Sequence, residues 1–567
     1  MLAFLLLAGS GGAGCGPAEP PDVDLVLLGG TIVDGTGAPP RRADVAVKDG
    51  RIHTVGDVGT LRAAREIDAT GLVVAPGFID MHSHADLILL GDGDTQQRLL
   101  AAKILQGVTS VIVGNCGLGA APATADAEPL LSGLNAWMTP AGASAGVLSI
   151  GQYLDRLESS GLVLNAGTLV PHGPVRISSM GLGAGAPSKT QIETMRRDLA
   201  AGLDSGAFGL SVGLIYPPGM YSATDELVEL ARDVASRNRL FTCHVRGSSE
   251  TLVRATEELI RIGRQSGARV HHSHLEAVGE RFWPEIARVL ALEDDARSTG
   301  VRISHDVFPY TRAATMMSAI FPPWALEGGV DALLERLADP DVRERLRFEL
   351  ESRVGEWPPW RPGGWPHNLV GAVGWDGILV ASVRADGPDE LAGRSLAELA
   401  HERGRDPLDY VADLMLAQQG RVGQLVDEIS GRGDRIDPLL SIFTHPAATV
   451  ISDAEDYGRG VPHPAHAGAF VRALRLNRER SLLSLQEVVR RMTSSPALLL
   501  GIEGRGVIRS GAHADLVLFD PLHVGDRATW SEPRNTAQGV RWVIINGRVA
   551  VEDGRYVGGL FGTVLRA

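Results

Sequence analysis

Short apolar strands and amphipathic helices alternate along most of this chain, whereas both ends show strand patterns alone. Between residues 76 and 497, apolar runs such as TSVIVGNCG, FGLSVGLIY and LFTCHVRG alternate with helix-like runs such as DELVELARDVASRNR. Strands that alternate with amphipathic helices predict a parallel sheet, and this number of units predicts a closed (β/α)8 barrel of the TIM type. The predicted fold class is therefore α/β.

The two ends of the chain favour β-hairpins. Runs such as DLVLLGGTIVDGTG near the start and GVRWVIINGRVAVEDG near the end are rich in Val and Ile and are interrupted by Gly-containing turns. We predict that residues 22–75 and 498–567 meet in one small β-sandwich domain beside a barrel of residues 76–497. The barrel has an insertion at about residues 320–440, because more chain lies there than one βα unit needs.

The first 21 residues are typical of a leader followed by a polar tether. The apolar run MLAFLLLAGS is too short to span a bilayer, and it precedes the small-residue stretch GGAGCG, which contains Cys15. This arrangement resembles a bacterial lipoprotein signal. It predicts an exported protein that is periplasmic or anchored to the membrane by a lipid on Cys15. The alternative is an ordinary secretory signal in which the cysteine is incidental.

Composition excludes some functional classes. The 567 residues include 54 Lys+Arg and 68 Asp+Glu, which gives a formal net charge of −14. Nucleic acid is excluded as a partner, because phosphate binding requires clustered cations. Three cysteines are too few for a disulfide framework, so each needs its own explanation.

Histidine and cysteine fall repeatedly at the predicted carboxyl ends of strands, where barrel enzymes place their chemistry. A single such residue is usually a buried core side chain, but a set on successive strands predicts a metal site at the barrel mouth. His82 and His84 stand at i and i+2 of an extended segment, so both imidazoles point to the same side. The strand-end set is His82, His84, Cys116, His172, His244 and His274.

Longer motifs resemble one family from about residue 22 to about residue 554. The segments VAPGFIDMHSHAD, QGVTSVIVGNCG, FGLSVGLIYPPGMYSATDEL, CHVRG, HDVFPYT and ISDAE together resemble the amidohydrolase superfamily, and within it the D-aminoacylase or N-acyl-D-amino-acid deacylase group. Most dinuclear amidohydrolases bridge their metals with a Lys or Glu on the fourth strand, but residues 206–224 contain no charged residue. In the D-aminoacylase group a second-strand cysteine takes that place, and Cys116 stands there.

The resemblance implies a zinc-dependent hydrolase that cleaves the amide bond of a small-molecule N-acyl-D-amino acid or a related D-configured amide. Asp453, after the last barrel strand, would serve as general base and then general acid toward a metal-activated water. Tyr310 would stabilise the oxyanion; the alternative for Tyr310 is an aromatic of the barrel rim. The implied ligands form a tight zinc site of Cys116, His244 and His274 and a weaker second site of His82 and His84.

One position departs from the family pattern where a substrate carboxylate would bind. The family typically has a Lys two residues after the strand-six histidine, and this chain has Glu276, which would repel a carboxylate. Either the free acid is held differently or another amide is preferred. Arg312 and Arg246 are candidate replacements, because a guanidinium can form a bidentate pair with a carboxylate. The alternative for both is a structural ion pair.

The insertion is rich in tryptophan and proline. Five of the nine Trp lie within residues 324–375, around the segment WPPWRPGGWPHNL. This segment is predicted to form a lid over the barrel mouth, or a subdomain that covers the rim without touching substrate.

Other functions stay open beside the deacylase. One is another hydrolase of the superfamily, either a cyclic amidase of hydantoinase or dihydroorotase type or a D-residue dipeptidase. The other, from a different class, is a non-catalytic binding protein on the same scaffold.

Overall fold

The computed structural model describes residues 20–361, 364–384 and 386–567. Residues 1–19 of the predicted leader, including Cys15, lie outside the described residues. None of the helices in the described ranges combines the length and apolarity that crossing a bilayer requires.

Eight parallel strands among the described residues form the central barrel. Strands 1 to 3 pair in order, as do strands 3 to 8, and the backbone N–H of Asp453 donates to the carbonyl of His82 (3.1 Å) between the segments that follow strands 8 and 1. We number as barrel strands 1 to 8 the segments Phe78–Asp80, Val108–Val113, Asn165–Thr168 continued by Val170–Pro171, Gly209–Gly213, Leu240–His244, Arg269–His272, Ile303–Val307 and Ala448–Val450.

Most side chains of the barrel strands are apolar or small, which favours strands that are buried on both faces. Every residue of Val108–Val113 is buried, as expected for a parallel strand covered by helices. Ser149 and Ser188 begin two of these helices with capping boxes, each with a glutamine three residues on. The helices outside the insertion are Gly93–Leu105, Glu128–Leu134, Ile150–Ser160, His172–Met180, Lys189–Asp204, Thr224–Ser236, Leu252–Ser266, Glu285–Ser298, Asp437–Thr444, Ala465–Arg480, Leu485–Met492 and Ser494–Leu500.

An insertion separates barrel strands 7 and 8. Its centre is a three-stranded antiparallel sheet of Ala313–Met316, Gly423–Val426 and Ile378–Ser382, with Gly423–Val426 in the middle. Its helices are Pro323–Leu326, Val330–Ala338, Pro340–Ser352, Leu369–Val373, Leu396–Glu402 and Pro407–Ala417.

The β domain is built from both ends of the chain. Val73–Pro76 pairs antiparallel with Leu516–Phe519, so one nine-stranded sheet contains segments from each end. The prediction of an α/β barrel with a β domain made from both ends is confirmed. The other strands of this sheet are Val23–Ile32, Arg41–Lys48, Arg51–Gly56, Ala63–Asp68, Val540–Ile545, Arg548–Glu552 and Arg555–Tyr556.

Candidate metal centre and active site

Polar side chains converge at the carboxyl ends of five barrel strands. His82 and His84 follow strand 1, Cys116 follows strand 2, and His244 is the last residue of strand 5. Parallel strands of a barrel deliver their carboxyl ends to one face, so these groups meet although they are distant in sequence. The full cluster is His82, His84, Cys116, His244, His274 and Asp453.

Two overlapping groups in this cluster are compact enough to hold a metal ion. In the first, Cys116 Sγ lies 3.2 Å from His82 Nε2 and 3.5 Å from His274 Nε2. In the second, Asp453 Oδ1 lies 3.4 Å from the Nε2 atoms of both His82 and His84. Within each group the three ligand atoms lie within 4.8 Å of one another. His82 belongs to both groups and therefore connects them.

His244 lies beside the compact group of His82, Cys116 and His274 rather than within it. The sequence assigned it to the tight site with Cys116 and His274, but in the compact group that contains Cys116 and His274 the third member is His82. The His244 ring lies beside the cluster, with its centroid 4.4 Å from that of His274. Its buried Nδ1 has no hydrogen-bond partner among the described residues, and the ring hydrogen-bonds to the Cys116 thiol, so His244 is a further candidate ligand beside Cys116.

The backbone at three of the cluster residues is strained. Cys116, His274 and Asp453 have φ angles of 52°, 34° and 46°, in the left-handed region that residues other than glycine seldom adopt. Such conformations persist only where the surrounding structure enforces them, and they concentrate at functional sites. The conformation at Cys116 requires a glycine at position 213, because a Cβ on Gly213 would lie 1.9 Å from the Cys116 carbonyl oxygen.

Asp306, in barrel strand 7, contacts two of the cluster histidines, His82 and His274. Its carboxylate accepts from His271 Nε2 at 2.9 Å, lies 3.3 Å from His82 Nδ1, and accepts the backbone N–H of His274. A carboxylate behind a ligand imidazole fixes both its tautomer and its ring orientation. The sequence analysis did not predict this supporting role of Asp306.

The electrostatics of the cluster suit a cation. Although burial alone would raise the pKa of the Cys116 thiol, His82 and hydrogen bonds from His244 and His274 hold that pKa well below its usual value. Burial alone would also raise the pKa of Asp453. The positive charge of His82 and a hydrogen bond from His84 outweigh this effect, so the pKa of Asp453 is lowered. Zinc binds thiolate, imidazole and carboxylate at about 2.0–2.3 Å, and the spacing of these donors fits such an ion.

The cluster opens into a cavity with mostly apolar walls. Tyr216 lines it, and its hydroxyl pairs with Thr315 Oγ1 at 2.7 Å. The sequence analysis did not select Tyr216, although it stands in the distinctive YPPG segment. His367 and Leu369 of the insertion also line the cavity, so the insertion contributes to its wall.

Glu276 faces the same cavity from the loop after strand 6. Burial, opposed in part by His274, raises the pKa of Glu276 to about 7. The sequence identified this position only as a departure from the family pattern.

Tyr310 does not occupy the predicted oxyanion position. Its ring is buried under the Arg472 guanidinium, whose Cζ lies 4.5 Å from the ring centroid, and packs against His463 and Trp530. Its hydroxyl has no partner among the described residues and Tyr310 is absent from the cavity wall. The prediction is corrected because the chain after strand 7 turns this side chain toward helix Ala465–Arg480.

The two arginines proposed to bind a substrate carboxylate are engaged elsewhere. Arg246 is fully buried, and its Nε donates to Glu258 Oε2 at 2.7 Å while its other nitrogens donate to backbone carbonyls. Arg312 donates to Asp427 Oδ2 at 3.0 Å and stacks on Trp530. Neither lines the cavity. The structural ion pair, given above as the alternative for both, is the arrangement observed.

His172 also lies apart from the cluster. Its Nε2 lies 3.0 Å from Glu226 Oε1, within a buried network that includes Arg176. Of the predicted strand-end histidines, His172 is the one that the structure does not bring to the metal centre.

A (β/α)8 barrel with a metal-binding cluster at the carboxyl ends of its strands, flanked by a β domain from both chain ends, defines a metal-dependent hydrolase. The model of the amidohydrolase family matches residues 65–235 and 383–551. N-acyl-D-glutamate deacylase of Alcaligenes xylosoxydans xylosoxydans is 34% identical over 93% of this chain and 93% of its own. The chain therefore belongs to the amidohydrolase family, and its resemblance to the D-aminoacylase group is confirmed.

Two further relatives agree with this assignment. D-aminoacylase of the same organism is 31% identical over 96% of this chain and 97% of its own. The crystal structure of N-acyl-D-glutamate deacylase from Bordetella bronchiseptica, complexed with zinc and a phosphonate mimic of the tetrahedral intermediate, superposes with a TM-score of 0.77. That structure is 33% identical and covers 96% of this chain and 100% of its own.

Proposed function

We propose that this protein hydrolyses the amide bond of N-acyl-D-amino acids or related D-configured amides, releasing a carboxylic acid and the D-amino product. The observation that supports this most strongly is Asp453, which faces a cavity and lies 3.4 Å from two histidines of a metal-binding cluster. The D configuration and the acyl substrate rest on the names of the relatives, N-acyl-D-glutamate deacylase and D-aminoacylase.

Zinc is the metal that the cluster fits. Cys116, His82 and His274 would hold one ion with His244 beside them, and His84 and Asp453 complete the second group with His82. When bound, zinc supplies Lewis-acid chemistry, activating water and polarising the scissile carbonyl.

Asp453 is the proposed general base and general acid. Its lowered pKa keeps the carboxylate ionised at neutral pH, ready to accept a proton from the attacking water. The same carboxylate then returns the proton to the leaving nitrogen, which must be protonated before it can depart. Tyr216 presents a hydroxyl to the same cavity, where it can donate to a developing oxyanion.

A substrate panel tests the proposal. The panel contains N-acetyl derivatives of D- and L-amino acids and their carboxamides, and zinc-loaded enzyme should release acetate from D members at a measurable rate. Asp453→Asn should lower kcat by at least about 100-fold, because it removes the proton-transfer group. Asp225→Asn, the same change at a side chain that is 86% exposed, serves as the control. An inert panel, or equal rates for wild type and Asp453→Asn, contradicts the proposal.

We also propose that residues 1–15 direct export and that Cys15 receives a lipid anchor. The support is the apolar leader followed by small residues before Cys15 in the sequence. A labelled fatty acid should be incorporated into the wild-type protein in a bacterial host and should be absent from Cys15→Ser. Release of both proteins in soluble form without label would favour the ordinary secretory signal.

A further inference from the structure

The described wall of the active-site cavity contains two carboxyl side chains but no lysine or arginine. Among the described residues that line the cavity, Asp453 and Glu276 carry carboxyl groups, and none is a lysine or an arginine. Arg246 and Arg312, the arginines that the sequence suggested for a substrate carboxylate, are paired with Glu258 and Asp427. Outside the metal cluster, a free carboxylate on a substrate would therefore find no lysine or arginine as an ion-pair partner among the described residues of this wall.

Glu276 is the carboxylate to which the proposed reaction gives no task. Its side chain is 9% exposed, and its Oε1 lies 3.7 Å from His274 Nδ1, too far for a hydrogen bond. Its Oε2 is buried and accepts no hydrogen bond from the described residues. Buried carboxylate oxygens are normally paired, so this unpaired oxygen in a cavity wall points to a donor on the ligand.

The remaining wall is suited to an apolar side chain. Most of its residues are aliphatic, so a substrate would bury its side chain against them and present polar groups to the cluster and to Glu276. The aliphatic residues are Leu118, Ile215, Val278, Ala313, Ala314, Leu369, Val426 and Ile429.

We propose that Glu276 determines specificity by accepting a hydrogen bond from an N–H group of the substrate next to the scissile amide. This inference rests on the proposed function. The substrate class is then D-configured amides with an apolar side chain, in which a carboxamide or a peptide bond stands where a simple N-acyl-D-amino acid has its free carboxylate. Hydrolysis consumes one water and releases a carboxylic acid and an amino-acid amide or peptide.

N-acetyl-D-leucine and N-acetyl-D-leucinamide form the test pair, because they differ in the carboxylate that becomes a carboxamide. Acetate release by zinc-loaded wild-type enzyme should give a kcat/KM for the amide at least about tenfold above that for the acid. Acetate is the readout because it reports cleavage of the acyl bond alone. A preference for the free acid would overturn the inference.

Two variants show whether Glu276 recognises the substrate or only holds His274 in position. Glu276→Gln should bring the two kcat/KM values together, chiefly by lowering KM for the acid, with zinc content unchanged. Glu280→Gln, the same change on a half-exposed side chain four residues away, should keep the wild-type ratio. If Glu276→Gln lowers kcat equally for both substrates and leaves their ratio unchanged, Glu276 does not select substrate.

The outcomes distinguish this inference from the proposed function. If no D-configured member of the panel is hydrolysed, the proposed function fails and the inference fails with it. If D-configured free acids are hydrolysed faster than their carboxamides, the proposed function stands and the inference alone is overturned.

Discussion

Two buried thiols in this protein have opposite chemistry. Cys116 lies within 3.5 Å of two imidazole nitrogens, which hold its pKa well below the usual value, whereas burial raises the pKa of Cys243 well above it. A thiolate binds metal and a protonated thiol does not. Cys116 is thus a candidate ligand, and Cys243 packs in the core.

Cys116→Ala should therefore weaken zinc binding. The loss of a direct ligand should exceed the roughly 10–100-fold effect of removing an outer-shell partner, and metal analysis after dialysis against a zinc buffer measures it. Cys243→Ala removes an equally buried sulfur and should retain zinc. Equal zinc content in both variants would exclude Cys116 as a ligand.

The sequence identified the residues of the metal-binding cluster, but not all of the residues that surround it. Strand ends locate histidines and cysteines well, because barrel geometry brings them together whatever the loops do. Tyr216 and Tyr310 could not be ranked in this way, since the direction of each side chain depends on its loop. The partner of Arg312 was equally hidden, because Asp427 lies 115 residues away in the chain.

A buried lysine connects the two strands that bear the catalytic groups. Lys103, on helix Gly93–Leu105, donates to Asp80 Oδ2 at 2.8 Å and lies 3.1 Å from Glu455 Oε1. Asp80 precedes His82 by two residues, and Glu455 follows Asp453 by two. The ammonium group thereby sets the relative position of the segments after barrel strands 1 and 8. No local sequence pattern indicated this role of Lys103, because its partners come from distant segments.

Lys103→Met should destabilise the fold, because it leaves two buried carboxylates without their cation. The expected loss is about 3–5 kcal/mol in the free energy of unfolding, measured by urea denaturation. Lys189→Met, at an exposed position, should unfold near the wild-type urea concentration. Coincident unfolding curves for the two variants would show that the Lys103 ion pairs contribute no net stability.

For the molecule as a whole, hydrophobic periodicity predicted the arrangement of the elements better than it predicted the directions of single side chains. The alternation of strands with helices indicated the barrel, and the Gly-punctuated ends indicated the β domain. The interior of the insertion was not predictable in this way. Trp357 and Pro358 belong to a segment without helical or strand period, and its three-stranded sheet pairs Ala313–Met316 with Gly423–Val426 across the intervening helices.

The pairing of Val73–Pro76 with Leu516–Phe519 also sets the order of events during synthesis. The N-terminal strands emerge first, but the neighbour of Val73–Pro76 is translated much later, after roughly 20–90 s at about 5–20 residues per second. Until then this apolar strand has an unpaired edge that can associate with other chains. The nascent protein should therefore need chaperone protection for its first segment, and slow translation should lower the yield of native enzyme.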